Sequence, residues 1–205
     1  VMAGGLITFE GIDGSGKSTQ IQMLEHEFNK LGVEYKTFRE PGGTELSEKI
    51  REILLDKENI ELISTAESLL FAAARAQLTA EQIKPAIDKG EFVICDRFTD
   101  STIAYQGYGR GLHIKKLEEI NYIATDGIIP DITFILDINP EIAATRMEHE
   151  EADRMETTGI NFYRRIRDGY RQIRKQNPNR YMKINGEQAP EKVFKEIKEI
   201  VMKKF

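Results

Sequence analysis

The chain has 205 residues, of which 40% are hydrophobic and 31% charged, and its formal net charge is −5. This length suits one domain with a sizeable core, and the acidic balance argues against non-specific binding of nucleic acid. No apolar stretch reaches the roughly 20 residues of a membrane span. The single cysteine, Cys95, cannot form an internal disulfide. We therefore expect a cytoplasmic protein with neither a membrane nor a nucleic acid as its partner.

An apolar strand at 6–10 leads into a phosphate-binding loop. The loop reads Gly11-Ile12-Asp13-Gly14-Ser15-Gly16-Lys17-Ser18 and is followed by Thr19. It matches the pattern G-x-x-x-x-G-K-[ST], whose backbone N–H groups cradle phosphates at the start of a helix. Lys17 supplies a cation for the β- and γ-phosphates, and the Ser18 hydroxyl is a Mg²⁺ ligand. Residues 11–19 are therefore predicted to bind a nucleoside triphosphate.

Strand-like and helix-like segments alternate after this loop. Residues 17–31 have apolar side chains at helical spacing and end at Gly32, a residue typical of helix C-termini. Residues 34–39 are strand-like, residues 40–44 form a turn with Pro and two Gly, and residues 45–55 are again helical.

A capping-box pattern predicts the start of the next helix. The segment Ser64-Thr65-Ala66-Glu67 would use Glu67 at the helix N-terminus, and the helix would run from Ser64 toward Lys89. We expect Pro85 to kink or end this helix. Further strands are predicted at 91–95, 132–137 and 181–185, and further helices from Asn139-Pro140 toward Met147 and over 190–204.

This alternation predicts an α/β fold: a three-layer sandwich with a central parallel five-stranded sheet, of P-loop NTPase type, as a single domain over 1–205. Such sheets bind ligands at the carboxyl ends of their strands. The segments expected at these ends are the Gly11 loop, residues 39–43, Asp96-Arg97 and Asp137. Asp96 can hold Mg²⁺ through water, and Arg97 can clamp a phosphate.

Three further segments carry a family resemblance. Residues 96–111 read Asp-Arg-Phe-Thr-Asp-Ser-Thr-Ile-Ala-Tyr-Gln-Gly-Tyr-Gly-Arg-Gly, residues 39–43 read Arg-Glu-Pro-Gly-Gly, and residues 71–75 read Phe-Ala-Ala-Ala-Arg. Together with the phosphate loop, these segments resemble the thymidylate kinases, which make dTDP from dTMP and ATP. The resemblance extends from Ile7 to the last helix. It implies ATP and Mg²⁺ as cofactors, dTMP as the substrate and a homodimer.

The resemblance also implies a substrate pocket. Phe71 would stack on thymine, Arg75 would donate to a thymine carbonyl, and Tyr105 would crowd C2′ of the sugar. Both Phe71 and Arg75 lie on one face of a helix because they are four residues apart. Asp13 would face the 3′-hydroxyl. The full set of implied substrate residues is Asp13, Arg39, Pro41, Arg51, Phe71, Arg75, Arg97, Ser101, Thr102, Tyr105 and Gln106.

A lid is expected at about 147–158. One subclass of the family has an arginine inside the phosphate loop, where this chain has Gly14, so the lid would supply that charge through Arg154. The lid differs from the usual arginine-rich pattern because Glu148, Glu150 and Glu151 surround His149. Arg146 would flank adenine, next to a loop at 183–188. The implied catalytic residues are Glu10, Lys17, Asp96, Arg97 and Arg154.

Three other functions remain open from the sequence. A deoxynucleoside kinase or a different monophosphate kinase would share the phosphate loop and the Asp96-Arg97 pair. A regulatory GTP-binding switch needs Asn-Lys-x-Asp, but the one Asn-Lys pair, Asn29-Lys30, lies in the first helix and lacks the Asp. A nucleic-acid motor is disfavoured by the acidic balance and the small size of the chain.

Overall fold

A five-stranded parallel sheet forms the centre of the protein. The computed structural model describes residues 4–147, 154 and 159–205. The strand order is β2-β3-β1-β4-β5, and every neighbouring pair is parallel. The predicted α/β sandwich with a parallel five-stranded sheet is thus confirmed. The strands are β1 (Leu6–Glu10), β2 (Tyr35–Arg39), β3 (Phe92–Asp96), β4 (Ile132–Asp137) and β5 (Tyr181–Asn185).

Helices cover both faces of the sheet, as its parallel strands require. Phe28 of the first helix and Ile197 of the last pack with Phe9 and Phe134 on one face. Cys95 and other strand residues pack on the opposite face. The helices are α1 (Lys17–Leu31), α2 (Glu45–Leu55), α3 (Ser64–Leu78), α4 (Lys84–Asp88), α5 (Thr99–Thr102), α6 (Ile114–Ala124), α7 (Pro140–Met147), α8 (Ile160–Gln176) and α9 (Pro190–Lys204). Within the described residues, none of them is both long and apolar enough to cross a bilayer.

The helical path from Ser64 continues past Pro85 to Asp88. A π-helical turn over Thr79–Ile83 joins α3 to α4 just before this proline. Pro85 lacks an N–H, and its ring would clash with the carbonyl four residues earlier in a regular helix, so a wider turn relieves both problems. The chain therefore widens the helix here and does not end it.

The capping-box prediction at the start of α3 is wrong. Ile63 is the N-cap residue, and its apolar side chain makes no capping hydrogen bond. Glu67 is 1% exposed and points into the protein. Its carboxylate is bound by side chains from outside α3, which outweigh the local capping pattern.

Candidate active site

Three glycines shape the phosphate loop. Gly11, Gly14 and Gly16 have φ of 140°, 73° and 94°, conformations that side chains rarely adopt. A Cβ on Gly11 would lie 2.7 Å from the Leu136 carbonyl oxygen, and one on Gly14 would lie 2.6 Å from that of Ala143. Both positions therefore need glycine for space as well as for φ.

Lys17 is held inside the curl of the loop. Its ammonium lies 3.3 Å from the carbonyl oxygen of Gly11 and 3.2 Å from that of Ile12. Burial and the neighbouring charge of Arg97 lower the pKa of Lys17. The Ile12 side chain points the other way, into the core. Ile12 thus contributes its backbone to the loop.

The phosphate loop opens into a first cavity, which we call the phosphate pocket. Arg146 lies at its edge and donates to the carbonyl oxygens of Gly14 at 3.3 Å and Gly186 at 3.0 Å. Gly186 and Gln188 belong to the loop that the sequence predicted on the adenine side. Residues lining the phosphate pocket include Asp13, Gly14, Ser15, Gly16, Lys17, Ser18, Thr19, Arg39, Glu40, Arg51, Asp96, Arg97, Arg146, Gly186 and Gln188.

Ser18 and Asp96 form an oxygen-rich corner of this pocket. The Ser18 hydroxyl donates to Oδ2 of Asp96 at 3.3 Å. Oδ1 of Asp96 is buried, with no hydrogen-bond partner among the described residues. Hard cations such as Mg²⁺ take oxygen ligands and retain waters, so this hydroxyl and carboxylate fit the predicted ion.

Arg97 joins β3 to the phosphate loop. Its φ is 70°, a strained conformation for arginine. The guanidinium donates to the Gly11 carbonyl at 2.9 Å, to Asp13 at 2.5 Å and to the Tyr105 hydroxyl at 3.0 Å. It also lies over the Tyr105 ring, 4.8 Å from the centroid. Burial raises the pKa of Asp13, but the charges of Arg97 and Lys17 outweigh it and leave that pKa below its ordinary value.

Glu10 lies behind this arginine and is fully buried. Its Oε1 accepts the backbone N–H of Phe98 at 2.8 Å and that of Ser101 at 3.3 Å. Its Oε2 accepts the hydroxyls of Ser101 at 2.6 Å and Tyr170 at 2.8 Å. Burial and, after it, the charge of Asp100 raise the pKa of Glu10 to about 7. Glu10 therefore holds the segment after Arg97 in place.

A second cavity, which we call the acceptor pocket, adjoins the first. The two cavities share Asp13, Glu40, Arg51 and Arg97. Most of the substrate residues predicted from the sequence meet here, while Arg39 lies in the phosphate pocket and binds Glu48 at 3.0 Å. The acceptor pocket is lined by Asp13, Glu40, Pro41, Arg51, Leu55, Phe71, Arg75, Arg97, Ser101, Thr102, Tyr105 and Gln106.

Arg75 is almost completely buried, at 2% exposure. Its guanidinium binds Glu40 through Nε at 2.7 Å and a terminal nitrogen at 2.6 Å. It also donates to Thr102 at 2.9 Å, Asn121 at 2.7 Å and the Phe98 carbonyl at 3.0 Å. These contacts occupy all five N–H groups that an arginine has. Arg75 can therefore reach a base carbonyl only by sharing one of them.

Glu40 lines both cavities, although the sequence did not predict it as a site residue; it lies inside the Arg-Glu-Pro-Gly-Gly segment. It is 6% exposed, and its Oε1 is buried without a hydrogen-bond partner in the described part of the chain. Burial raises the pKa of Glu40, against the opposing effect of Arg75. Arg51 lies beside it and donates to the Pro41 carbonyl at 2.9 Å.

The predicted catalytic residue Arg154 lies outside both cavities. Arg154 donates to the Leu54 carbonyl at 2.8 Å and to Glu67 at 2.7 Å, near the base of the acceptor pocket. Asp137 lies at the carboxyl end of β4, as expected, and its carboxylate binds Arg167 of α8 at 2.5 Å. The rest of the predicted lid after Met147, including Glu148, His149, Glu150 and Glu151, lies outside the described residues.

Comparisons with known proteins identify the family of this chain. The family model described as "Thymidylate kinase" matches residues 9–197. The chain is 48% identical over 202 residues to thymidylate kinase of Thermoanaerobacter sp. (strain X514), covering 98% of this chain and 99% of the relative. It is also 48% identical over 202 residues to thymidylate kinase of Chlorobaculum tepidum, covering 94% of each chain. The crystal structure of thymidylate kinase from Ehrlichia chaffeensis superimposes with a TM-score of 0.80 at 38% identity, covering 98% of this chain and 99% of that one. The chain belongs to the thymidylate kinase family.

Proposed function

We propose that this protein transfers the terminal phosphate of ATP to dTMP, forming ADP and dTDP for the synthesis of dTTP. The observation that carries this proposal is the shared wall of the two pockets, formed by Asp13, Glu40, Arg51 and Arg97. A phosphate at the end of each pocket would meet its counterpart at these residues. Phosphoryl transfer needs such an arrangement of two held phosphates.

The phosphate loop would bind ATP. Its backbone N–H groups and the N-terminus of α1 attract the phosphates. Lys17 would turn from the loop carbonyls toward the β- and γ-phosphate oxygens. Arg146, held by Gly14 and Gly186, would flank adenine.

The acceptor pocket would bind dTMP. Phe71 would stack on thymine, and Thr102, Gln106 and a shared N–H of Arg75 would meet its polar edge. The Tyr105 hydroxyl, 3.1 Å from Oδ2 of Asp13, lies where the sugar would pass. As the family resemblance implies, its ring would leave little room for a 2′-hydroxyl.

Arg97 would stabilise the transfer itself. Donor and acceptor phosphates are both anionic, so positive groups fixed between them lower their repulsion and stabilise the transition state. The attacking oxygen of a monophosphate is already ionised near neutral pH, so no general base is needed. Glu10 acts as a positioning residue because it holds the backbone at Phe98 and Ser101. Arg154 would add charge only after leaving Glu67.

Ser18 and, through water, Asp96 would hold Mg²⁺. When bound, this ion would neutralise charge on the phosphate oxygens of ATP. Oδ1 of Asp96 supports this assignment because it is buried and finds no hydrogen-bond partner in the part of the chain that the structure describes.

We further propose that the chain acts as a single cytosolic kinase domain and forms a homodimer. Helices α3 and α6 contact each other and expose Leu69 at 51%, Tyr122 at 69% and Ile123 at 78%. A second copy would cover these apolar groups. A monomer in sedimentation velocity at micromolar concentration would contradict this arrangement, and Ile123→Glu should weaken the dimer.

The testing experiment is an ADP-release assay with ATP and Mg²⁺, comparing dTMP, dUMP, dCMP, dGMP, UMP and thymidine as acceptors. We expect release that depends on dTMP and is far slower with the others. Preference for thymidine would make the protein a nucleoside kinase. ADP release that needs no acceptor would contradict transfer altogether. Lys17→Met serves as the control for background hydrolysis.

A further inference from the structure

Glu67 is a buried carboxylate at the base end of the acceptor pocket. Its residue exposure is 1%, although it belongs to the first turn of α3. Side chains from two other parts of the chain approach it. Gln106 and Arg110 come from the π-helical turn over Ile103–Gly109 and its C-cap, and Arg154 comes from the segment before α8.

The two oxygens of Glu67 have different partners. Oε1 accepts from Nε2 of Gln106 at 3.0 Å and lies 3.4 Å from Nε of Arg110. Oε2 accepts from Arg154 at 2.7 Å and from Arg110 at 3.3 Å. Each of these three side chains thus presents a hydrogen-bond donor to the carboxylate.

This arrangement fixes the orientation of the Gln106 amide. An ionised carboxylate can only accept, so the amide must turn its NH₂ group toward Glu67. Gln106 lines the acceptor pocket with Thr102 and Phe71. The amide oxygen is therefore the polar atom of Gln106 left to face a bound base.

We infer that Glu67 is a specificity-determining positioning residue, which makes Gln106 present a hydrogen-bond acceptor to the pyrimidine. Thymine carries a hydrogen on N3 and satisfies this oxygen, whereas N3 of cytosine is itself an acceptor and is repelled. A site whose polar groups go unpaired rejects a ligand strongly. This inference rests on the proposed function, because it assumes that a pyrimidine monophosphate enters the acceptor pocket.

The isosteric variant Glu67→Gln tests the inference. Arg154 and Arg110 both donate to the Oε2 position, at 2.7 and 3.3 Å, whereas the only arginine nitrogen near Oε1 among the described residues is Nε of Arg110, at the longer distance of 3.4 Å. The new NH₂ group therefore takes the Oε1 position and faces Gln106. The Gln106 amide then turns over and presents its own NH₂ group to the base. We expect the ratio of kcat/KM for dTMP to kcat/KM for dCMP to fall at least tenfold, mainly through a higher KM for dTMP. A purely structural defect would lower both values together.

Two controls test whether the effect of Glu67→Gln on selectivity acts through the Gln106 amide. In Gln106→Leu, which has no amide to turn, adding Glu67→Gln should leave the dTMP-to-dCMP ratio unchanged. Glu81→Gln alters a similar Gln77–Glu81 pair, 2.9 Å apart, on the surface away from both pockets, and should leave wild-type selectivity. A folded Glu67→Gln protein with a ratio within twofold of wild type overturns the inference. The inference is also overturned if adding Glu67→Gln to Gln106→Leu lowers the dTMP-to-dCMP ratio as much as Glu67→Gln lowers it in wild type.

A measurement on the wild-type protein covers the case in which Glu67→Gln does not fold. In 5-fluoro-dUMP the fluorine makes N3–H ionise nearer neutral pH than in dTMP. If the Gln106 amide oxygen faces N3, raising the pH so that N3 ionises should weaken the binding of 5-fluoro-dUMP relative to that of dTMP at the same pH. Unchanged or tighter binding overturns the inference. Failure of the proposed function is a separate result, since wild type would then release no ADP on addition of dTMP.

Discussion

Arg97 and Asp13 form an ion pair, 2.5 Å between a guanidinium nitrogen and Oδ1, across the junction of the two pockets. Asp13 belongs to the phosphate loop and Arg97 follows β3, so the pair ties the nucleotide side to the acceptor side. Both residues line both cavities. A charge placed here would lie close to a phosphate bound in either cavity.

Replacing Arg97 should remove most turnover without unfolding the protein. We expect Arg97→Ala to lower kcat at least about 100-fold, the usual scale for losing one preorganised donor. Arg97→Lys, the matched control, keeps the charge and should recover only part of this loss, because lysine lacks the planar fork. Steady-state kinetics and thermal unfolding measure the two effects. Near-normal turnover in Arg97→Ala would contradict the assigned role.

Two glycine variants separate function from backbone strain. Gly14 has φ 73°, and its added Cβ would lie 2.6 Å from the Ala143 carbonyl oxygen. Gly32 has φ 65° and open space around its Cβ position. We expect Gly32→Ala to cost about 1–2 kcal/mol of stability, the penalty for a left-handed residue, and to leave activity unchanged. Gly14→Ala should also weaken ATP binding, which titration calorimetry would report. Equal ATP affinity in both variants would contradict the argument that the phosphate loop needs glycine at position 14.

Glu10 should make stability depend on pH. Its pKa is raised to about 7 by burial first and by Asp100 second, while Ser101, Arg97 and Tyr170 oppose the rise. A carboxyl whose pKa is higher folded than unfolded stabilises fully below its unfolded pKa, and this contribution disappears as the pH rises through about 7. The change is at most about 3 kcal/mol.

Glu10→Gln supplies the comparison for that prediction. An amide keeps the shape and does not ionise, so the stability of wild type should fall relative to the variant between pH 5 and 8. Urea unfolding at a series of pH values measures the difference. A constant difference across this range would show that Glu10 does not titrate there.

Removing only one partner of the buried ion pair Arg75–Glu40 should strongly destabilise the folded protein. Arg75→Met leaves a buried carboxylate without its cation, and we expect a loss of about 3–5 kcal/mol in the free energy of unfolding. Adding Glu40→Gln should restore part of it. Arg164→Met, in the exposed pair with Glu141, should cost under about 1 kcal/mol. A similar cost for both arginines in urea unfolding would contradict the burial argument.

The role of Arg154 can be assigned by measuring kcat and the preference for dTMP over dCMP separately. If its guanidinium acts on the transferred phosphate, Arg154→Ala should lower kcat about 100-fold with dTMP. If it acts only on Glu67, the same variant should change the preference for dTMP over dCMP and leave kcat within a few-fold. Arg165→Ala, whose guanidinium binds the Gly109 carbonyl at 3.1 Å, serves as a control outside the pockets.

The sequence alone determined the phosphate loop and the parallel sheet. The loop is a contiguous pattern, and its glycines are required by local backbone geometry at Gly11 and Gly14. Alternating strands and helices leave few arrangements other than a covered parallel sheet. Asn139 also behaves as its local pattern predicts, since its side chain accepts the Glu141 N–H at 3.0 Å.

Only the tertiary structure decided how distant side chains share partners. The pattern at Ser64–Glu67 predicted a cap, but Gln106, Arg110 and Arg154 bring donors to Glu67 from 39, 43 and 87 residues away. The hydrogen bonds that occupy all five N–H groups of Arg75 likewise depend on residues up to 46 positions distant. Local patterns describe a backbone segment and its neighbours, whereas a buried charge takes its partners from whatever the fold brings within about 3 Å. That difference explains why the loop could be predicted and the role of Glu67 could not.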